Sequence, residues 1–196
     1  MGHSQAARAA SRERVLQVTA RRIREEGLTR PGVADLMKEA GLTHGGFYKH
    51  FTSRDDLITQ AAALALEEGS AKMERAARTN EQAPRTGLID SYLAKQHRDA
   101  PGTGCALVTL GAAAGRGDQG LKEAYERQVR TYLDLIAGLD DGSEGARAEA
   151  MLTLSALVGA MLMARAVADP ALSDQLLTTV ADRLKQRQSH DSAPAA

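Results

Sequence analysis

The sequence contains little of what disulfide-stapled, metal-binding and catalytic proteins need. It has one cysteine and no tryptophan in 196 residues, and only 3% of its residues are aromatic. A single cysteine excludes an internal disulfide framework and is typical of a reducing compartment. The five histidines form no His-x-x-x-His pair, and no glycine-rich loop ends in Gly-Lys-Ser/Thr. The sequence therefore predicts no metal site, no cofactor, no catalytic residue and no enzymatic activity.

Long apolar runs and strand patterns are scarce as well. The most apolar stretch, residues 151–168, is interrupted by Ser155 and Arg165, and the N-terminus has no hydrophobic signal core. We therefore expect a cytoplasmic protein that does not enter a membrane. Because apolar residues recur at helical spacing and no Val/Ile/Thr alternation is present, the sequence predicts an all-α fold of about nine helices.

The formal charge of the chain is zero but unevenly distributed. Residues 1–60 contain ten Lys and Arg against seven acidic residues, a net charge of +3, and residues 61–196 contain 15 against 18, a net charge of −3. A basic N-terminal part is expected of a surface that faces phosphates, although a solvated face without a ligand has the same pattern. An arm carrying Arg8 or Arg12 could enter a minor groove, but we favour a tail without fixed structure.

One short segment has the pattern of a helix-turn-helix. Apolar residues at helical spacing predict a first helix over residues 33–40, Gly41 ends it, and Thr43 opens a second helix after a turn of a few residues. Gly45 and Gly46 each destabilise a helix by about 1 kcal/mol relative to alanine. We therefore expect that a partner must approach the backbone closely at these two positions.

The residues that follow the two glycines suit a DNA groove. Tyr48, Lys49 and His50 can bind phosphates while the start of the helix reaches base edges. Ser53 then predicts the N-cap of a long helix with two aspartates in its first turn. The alternative interpretation is a short, glycine-tolerant amphipathic turn that binds nothing.

The run Gly32-Val-Ala-Asp-Leu-Met-Lys-Glu-Ala-Gly-Leu-Thr-His-Gly-Gly-Phe-Tyr-Lys-His-Phe and the run Ser53-Arg-Asp-Asp-Leu resemble the tetracycline-repressor (TetR) family of bacterial transcriptional regulators. The resemblance covers roughly residues 11–60, and the family often has lysine where this chain has Arg54. It implies a DNA-binding domain over residues 1–55 and a helical ligand-binding and dimerisation domain over residues 56–196. The predicted DNA-binding residues are Arg30, Thr43, His44, Gly45, Gly46, Tyr48, Lys49, His50 and Arg54.

The resemblance also implies partners. It implies a homodimer that binds a palindromic double-stranded DNA operator. Repression is the commoner mode of the family, in which the protein releases the operator when an unknown small-molecule effector binds the C-terminal domain. With so few aromatic residues, the effector pocket has few flat walls for stacking large planar molecules. The candidate pocket residues are Tyr92, His97, Cys105, Thr109, Tyr125, Gln128 and Tyr132.

The last two predicted helices, over about residues 144–168 and 173–188, have the composition of a dimer interface. The first is apolar over more than one face and has an edge of small residues, so the pair could double by symmetry into a four-helix bundle. The alternative is that the two helices are the core of a monomer. The predicted interface residues are Leu152, Ala156, Gly159, Ala160, Met163, Leu176, Val180 and Leu184.

Two alternatives stay open in the sequence. If Thr103 capped a helix, Cys105 would lie in its first turn, and the regulator could sense an electrophile or an oxidant through a reactive thiol. We favour a buried structural Cys105, because no second cysteine could resolve an oxidised thiol. The chain could also be a helical small-molecule or protein-binding sensor whose helix-turn-helix is only structural.

Overall fold

The computed structural model describes residues 2–29, 31–117, 119–139 and 145–191. Every regular element among them is helical, which confirms the all-α prediction. The α-helices are α1 (Gly2–Glu26), α2 (Val33–Glu39), α3 (Arg54–Arg78), α4 (Pro84–Tyr92), α5 (Lys95–Asp99), α6 (Ala106–Arg116), α7 (Gln119–Ala137), α8 (Ala146–Ala166) and α9 (Pro170–Asp191). Two 3₁₀ helices, His44–Lys49 and Pro101–Thr103, complete the described elements.

Local signals set the ends of the first helices as the sequence predicts. Gly41 has φ +73°, which favours glycine, and follows the C-terminus of α2. Its N–H donates to the Lys38 carbonyl, and the Leu42 N–H donates to the Met37 carbonyl at 2.9 Å, so two otherwise unpaired carbonyl groups are satisfied. At the start of α3, the Asp56 N–H donates to Ser53 Oγ at 3.0 Å. Ser53 is therefore the predicted cap of α3.

The first of two compact units comprises Met1–Glu68 and Gly102–Glu126. Its centre is Arg24 of α1, which is only 4% exposed. The Arg24 guanidinium donates to the Gly102 carbonyl at 3.1 Å and to the Ala65 carbonyl at 3.2 Å, and it pairs with Glu68. Thr109 of α6 donates in turn to the Arg24 carbonyl at 2.8 Å. The Arg24 side chain thereby links α1 to α3 and to the 3₁₀ helix Pro101–Thr103, and its backbone carbonyl links α1 to α6.

The second unit comprises Gly69–Pro101 and Arg127–Ala196. Within it, α9 packs against α8 and α4, and α5 packs against α8. The units do not follow the predicted boundary at residues 55–56, because α3 and α7 each contribute to both. The assignment of functions to residues 1–55 and 56–196 stays a prediction.

Three local predictions are wrong. The pattern of residues 88–98 predicts one helix, but Ala94 is extended (ψ 145°) and separates α4 from α5. Thr103, the predicted cap of the next helix, lies in a 3₁₀ turn, and Cys105 occupies the N-cap position of α6. The glycines of residues 115–120 predict a loop after a helix that ends at Ala114. Instead α6 continues to Arg116, because alanines of high helix propensity precede its last glycine, and α7 begins at Gln119.

Helix α8 meets the length and composition of a membrane span, contrary to the expectation from the sequence, with a mean hydropathy of 1.3. Its Leu157 and Met161 are fully buried within the described chain. Near its C-terminus, Arg165 donates to the carbonyl groups of His97 and Arg98. Packing against α5 and α9 accounts for the buried apolar residues of α8, whereas other apolar residues of this helix stay exposed.

We expect Gly69→Ala to destabilise the fold by about 1–3 kcal/mol, as an overpacked core position does. A methyl group at Gly69 would overlap the hydroxyl oxygen of Tyr132 and lie 3.1 Å from Tyr132 Cζ. Tyr132 is buried, so its ring has no free space to move into. Urea unfolding measures the change in the free energy of unfolding.

The matched control is Gly115→Ala, because nothing lies within 4 Å of a methyl group at Gly115. Since alanine has the higher helix propensity, this variant should be as stable as the parent or more stable. Equal free energies of unfolding for Gly69→Ala and Gly115→Ala would contradict the packing between Gly69 and Tyr132.

Candidate nucleic-acid interface

The second helix of the helix-turn-helix is a 3₁₀ helix, His44–Lys49, rather than an α-helix. Thr43 precedes it in an extended conformation, and its side chain makes no capping hydrogen bond. Two glycines in the first turn explain the short, irregular form, because they favour regular helix least among residues other than proline.

Aromatic residues fix this 3₁₀ helix on the first unit. Phe47 and Phe51 are buried, with their ring centroids 5.7 Å apart. Tyr48 packs edge-to-face on Phe47 at 5.2 Å, yet 77% of Tyr48 is exposed. A large aromatic residue held rigidly in solvent is available for a partner.

The fold itself does not require glycine at residues 45 and 46. Neither has a positive φ, which in the described chain occurs at Gly27 and Gly41. Nothing lies within 4 Å of a methyl group at Gly45, and the nearest atoms at Gly46, Thr43 Oγ1 and Met37 Cε, are at 3.6 and 3.8 Å. At Gly45 the missing side chain leaves open space beside the 3₁₀ helix. This is the arrangement that close approach of a nucleic acid needs.

Helix α1 reaches the same surface, which the sequence did not predict. It begins at Gly2 instead of following a tail, and the Arg8 guanidinium donates to the Lys49 carbonyl. Ala7, Arg8 and Ser11 of α1, with Lys49 and His50, line an open depression of about 370 Å³. The spacing of Arg8, Ser11 and Arg12, which places them on one helix face, is the signal that could have identified this contribution.

Arg12 has a different role from Arg8. Its guanidinium lies 5.2 Å from the Phe51 ring centroid and hydrogen-bonds to Gln60. Gln60 donates to Asp56, which also accepts from Thr52 N and Oγ1 at 2.9 Å each. The Thr52 N–H foremost, followed by Gln60, lowers the pKa of the Asp56 carboxyl. The network fixes α1, the 3₁₀ helix and the start of α3 relative to one another.

Arg54 is bound to the fold rather than left free. It donates to the carbonyl oxygens of Leu28, Thr29 and Pro31 at 2.9, 3.3 and 3.3 Å. It therefore stabilises the connection between α1 and α2, and its contact with a phosphate stays a prediction. Thr43, His44, Gly45, Tyr48 and Lys49 are exposed, and Gly46 and His50 are partly exposed. Arg30 lies outside the described residues.

The candidate pocket residues divide between the two units. In the first, Tyr125 Oη donates to the Leu107 carbonyl at 3.4 Å, and burial raises the pKa of the Tyr125 phenol. Thr109 binds Arg24 as described, and Cys105 is buried. Tyr125 therefore connects α7 to α6, and Thr109 connects α6 to α1, within this unit.

The second unit contains the other four candidates. His97 Nδ1 lies 2.6 Å from the Tyr92 carbonyl oxygen, and the Tyr92 and His97 rings pack edge-to-face at 4.7 Å. Burial is the main cause that lowers the pKa of the His97 imidazole. Gln128 donates to Ser70 at 2.9 Å, and Tyr132 packs against Gly69 as described. The contacts of Gln128 and Tyr132 bring α3 and α7 together in this unit.

The predicted dimer-interface residues also divide, by exposure. Ala160 (1% exposed) and Leu184 (5% exposed) are buried inside the unit, so they are unavailable to a second chain unless the unit opens. Leu152 and Met163 are exposed, and Ala156, Gly159, Leu176 and Val180 are partly exposed. Three further exposed apolar residues on these two helices are Met151, Leu162 and Leu172.

An all-helical chain with an exposed helix-turn-helix has the architecture of a DNA-binding transcriptional regulator. Residues 15–61 match the family model described as bacterial regulatory proteins, tetR family. No curated protein matches the sequence. The resemblance to the TetR family is confirmed, and the chain has the fold of TetR-family regulators.

Three solved structures illustrate the likeness. Escherichia coli NemR in its reduced form is 18% identical with a TM-score of 0.74, covering 90% of this chain and 96% of that one. A TetR transcriptional regulator from Chloroflexus aurantiacus is 19% identical with a TM-score of 0.76, covering 92% and 97%. The TetR-family regulator SCO4454 from Streptomyces coelicolor is 24% identical with a TM-score of 0.69, covering 95% and 96%.

We expect Gly45→Leu to abolish DNA binding and leave the fold intact. The added side chain begins in open space, so the melting temperature should stay the same or rise with helix propensity. On the DNA side it would occupy the space that the backbone or a base edge needs. Circular dichroism and fluorescence anisotropy with duplex DNA measure the two properties.

Gly115→Leu is the matched control, because Gly115 is also exposed and open but lies in α6. It should bind DNA like the parent protein. Normal DNA binding by Gly45→Leu would show that close approach at residue 45 is unnecessary.

Lys49→Ala and Arg54→Ala should weaken DNA binding in different ways. Lys49 is exposed, so its loss should reduce the salt slope by about one unit per subunit at unchanged stability. Arg54→Ala should lower the free energy of unfolding by about 1–2 kcal/mol, because three carbonyl groups lose their donor. Urea unfolding and binding titrations in a salt series separate the two effects. Unchanged affinity and slope for Lys49→Ala would refute its contact with a phosphate.

Proposed function

We propose that the chain is a homodimeric transcriptional repressor that binds a palindromic operator and releases it when a small molecule binds the C-terminal part. The DNA-binding part of this proposal rests on the surface of the 3₁₀ helix His44–Lys49. Tyr48 is 77% exposed on a buried aromatic base, and Gly45 leaves open space beside it. A helix-turn-helix that served only for packing would need neither feature. This favours the regulator over a sensor with a purely structural helix-turn-helix.

Charge supports the same surface. Lys49 is exposed beside Arg8, and the Arg8 guanidinium keeps further N–H groups for phosphate oxygens after donating to the Lys49 carbonyl. The cations supply affinity for any duplex, whereas the exposed start of the 3₁₀ helix, with Thr43 and His44, is suited to base edges. Both kinds of contact are what a regulator that selects an operator requires.

The exposed apolar residues of α8 and α9 support a homodimer. Leu152, Gly159, Leu162 and Met163 lie along α8, and nothing lies within 4 Å of a methyl group at Gly159. A small residue in an apolar face permits close approach of a second helix. A two-fold dimer also gives two recognition helices, which suits a palindromic site with half-sites one or more helical turns apart.

We propose that the effector binds to polar and aromatic side chains inside the second unit, namely Tyr92, His97, Gln128 and Tyr132. They lie on helices that otherwise bury apolar side chains, which is the composition of a small-molecule site. We prefer a bound small molecule to an electrophile or oxidant at Cys105, because the Cys105 side chain is only 6% exposed. The proposal requires no cofactor and no catalysis, and it places the protein in the cytoplasm.

The test combines operator selection with a change in oligomeric state. The parent protein should select inverted-repeat sequences from a random duplex library. Light scattering should give it the molecular mass of a dimer. Gly159→Glu should give a folded monomer, because its side chain starts in open space within one chain but would bury an unpaired carboxylate between two. The monomer should lose selection of inverted repeats.

Gly115→Glu, which adds the same charge to an exposed position of α6, should leave both the dimer and the selection unchanged. A stable dimer of Gly159→Glu would place the interface elsewhere. Failure of the parent protein to enrich any sequence would overturn the regulator and favour the sensor.

A further inference from the structure

We propose that Arg8 and Ser11 of α1, together with Lys49 and His50, form a seat for one DNA phosphate, and that His50 takes up a proton when the phosphate binds. The inference rests on the proposed function and adds a site and a regulatory property to it. Operator affinity would then rise as the pH falls. The seat also assigns a DNA-binding role to the N-terminal turns of α1.

The shape and chemistry of the depression carry this assignment. It is open, about 370 Å³, and is lined by Ala7, Arg8, Ser11, Lys49 and His50. Two of these side chains are permanent cations and a third is a hydroxyl group, the set of donors that phosphate oxygens accept from. Arg8 is oriented by its hydrogen bond to the Lys49 carbonyl, so the two cations lie on the same depression in the free protein.

His50 supplies an unmet polar position at this seat. Its Nδ1 is buried and has no hydrogen-bond partner among the described residues. If both ring nitrogens carried protons, Nδ1 would need an acceptor that the described protein atoms do not supply. A phosphate bound in the depression brings a negative charge close to the ring. The free protein therefore favours the neutral ring, and a bound phosphate favours the imidazolium.

The surrounding charges also favour the neutral His50 ring in the free protein. Burial is the largest cause that lowers the pKa of the His50 imidazole, and Arg8, Arg12 and Lys49 lower it further. Arg8 and Arg12 belong to α1 and Lys49 to the 3₁₀ helix. On the side of α3, Asp56 is bound by Thr52 and Gln60. Phosphates that neutralise these cations remove the repulsion that keeps His50 uncharged.

The sign of the pH dependence follows from linkage. The pKa of His50 is lower in the free protein than in the complex, so binding takes up protons between the two values. Affinity should begin to rise as the pH falls through the higher pKa of the complex, and the gain should be complete below the pKa of the free protein. The window lies below and around the ordinary pKa of histidine, about 6.5.

The experiment uses the full-length dimer and a duplex selected from the random library. His44 is a second, exposed imidazole on the same 3₁₀ helix. The comparison is therefore made between His44→Gln and the double variant His44→Gln/His50→Gln. From about pH 8 to about pH 6 at constant ionic strength, the affinity of His44→Gln should rise about tenfold. The double variant should change by less than about twofold.

A second measurement reports on His50 directly. In NMR titrations of the wild type, the His50 ring C–H resonance should give a pKa below 6.5 in the free protein and a higher pKa in the complex. Single phosphates of the duplex are then replaced by uncharged methylphosphonates. At one position this replacement should weaken DNA binding by the wild type but have little effect on DNA binding by Arg8→Gln. Arg75→Gln, which removes an exposed charge from α3, should behave like the wild type at that position.

The outcomes separate this proposal from the proposed function. Equal pH dependence of the single and double variants, or an unchanged His50 pKa on DNA binding, would overturn the proton uptake. If Arg8→Gln responded to every methylphosphonate as the wild type does, the seat would be wrong. In both cases operator binding itself would stand. A protein that binds no duplex at any pH would overturn the regulator as well.

Discussion

The buried guanidinium of Arg24 is the interaction on which the first unit depends. A charge that is 4% exposed must be paired and hydrogen-bonded. The terminal nitrogens of Arg24 bind Glu68 and the Ala65 and Gly102 carbonyls, and its buried Nε has no partner among the described residues. Removal of any one acceptor would leave part of a buried charge unsatisfied. The position of the C-terminal turns of α1 relative to α3 and the residues before α6 is therefore set within narrow limits.

Helix α1 carries that constraint to the DNA-facing surface. Arg24 and Arg8 are 16 residues apart on one helix, a separation of about 24 Å at 1.5 Å per residue. At the far end, Arg8 binds the Lys49 carbonyl and Arg12 lies over Phe51. A displacement of the residues around Gly102 would thus be transmitted through a stiff helix to the 3₁₀ helix. Within the first unit, the geometry of the proposed DNA-binding surface therefore depends on the contacts of Arg24.

The features that residue type and spacing predict correctly are those whose determining interaction is local. Gly41 and Ser53 act on backbone groups within four residues, so their roles could be read from residue type and spacing. The roles of Arg54 and Arg8 could not, because their acceptors lie more than 20 residues away. The break at Ala94 carries no glycine or proline signal. Gln128 was a candidate ligand contact, but only the fold reveals its hydrogen bond to Ser70, 58 residues earlier.

Helix α8 shows why the sequence could not separate buried from exposed residues in the proposed dimer surface. Its residues are apolar nearly all round, so periodicity cannot tell which side faces the partner helix of the same chain. In the described chain, α9 and α5 cover the side with Ala160 and Leu157, whereas Leu152, Leu162 and Met163 stay exposed. Exposed residues of this kind, clustered along one helix and its neighbour, are unfavourable in water unless something covers them. In the proposed homodimer a second copy of the same surface would cover these residues and would also supply a second helix-turn-helix, so one association would meet both requirements.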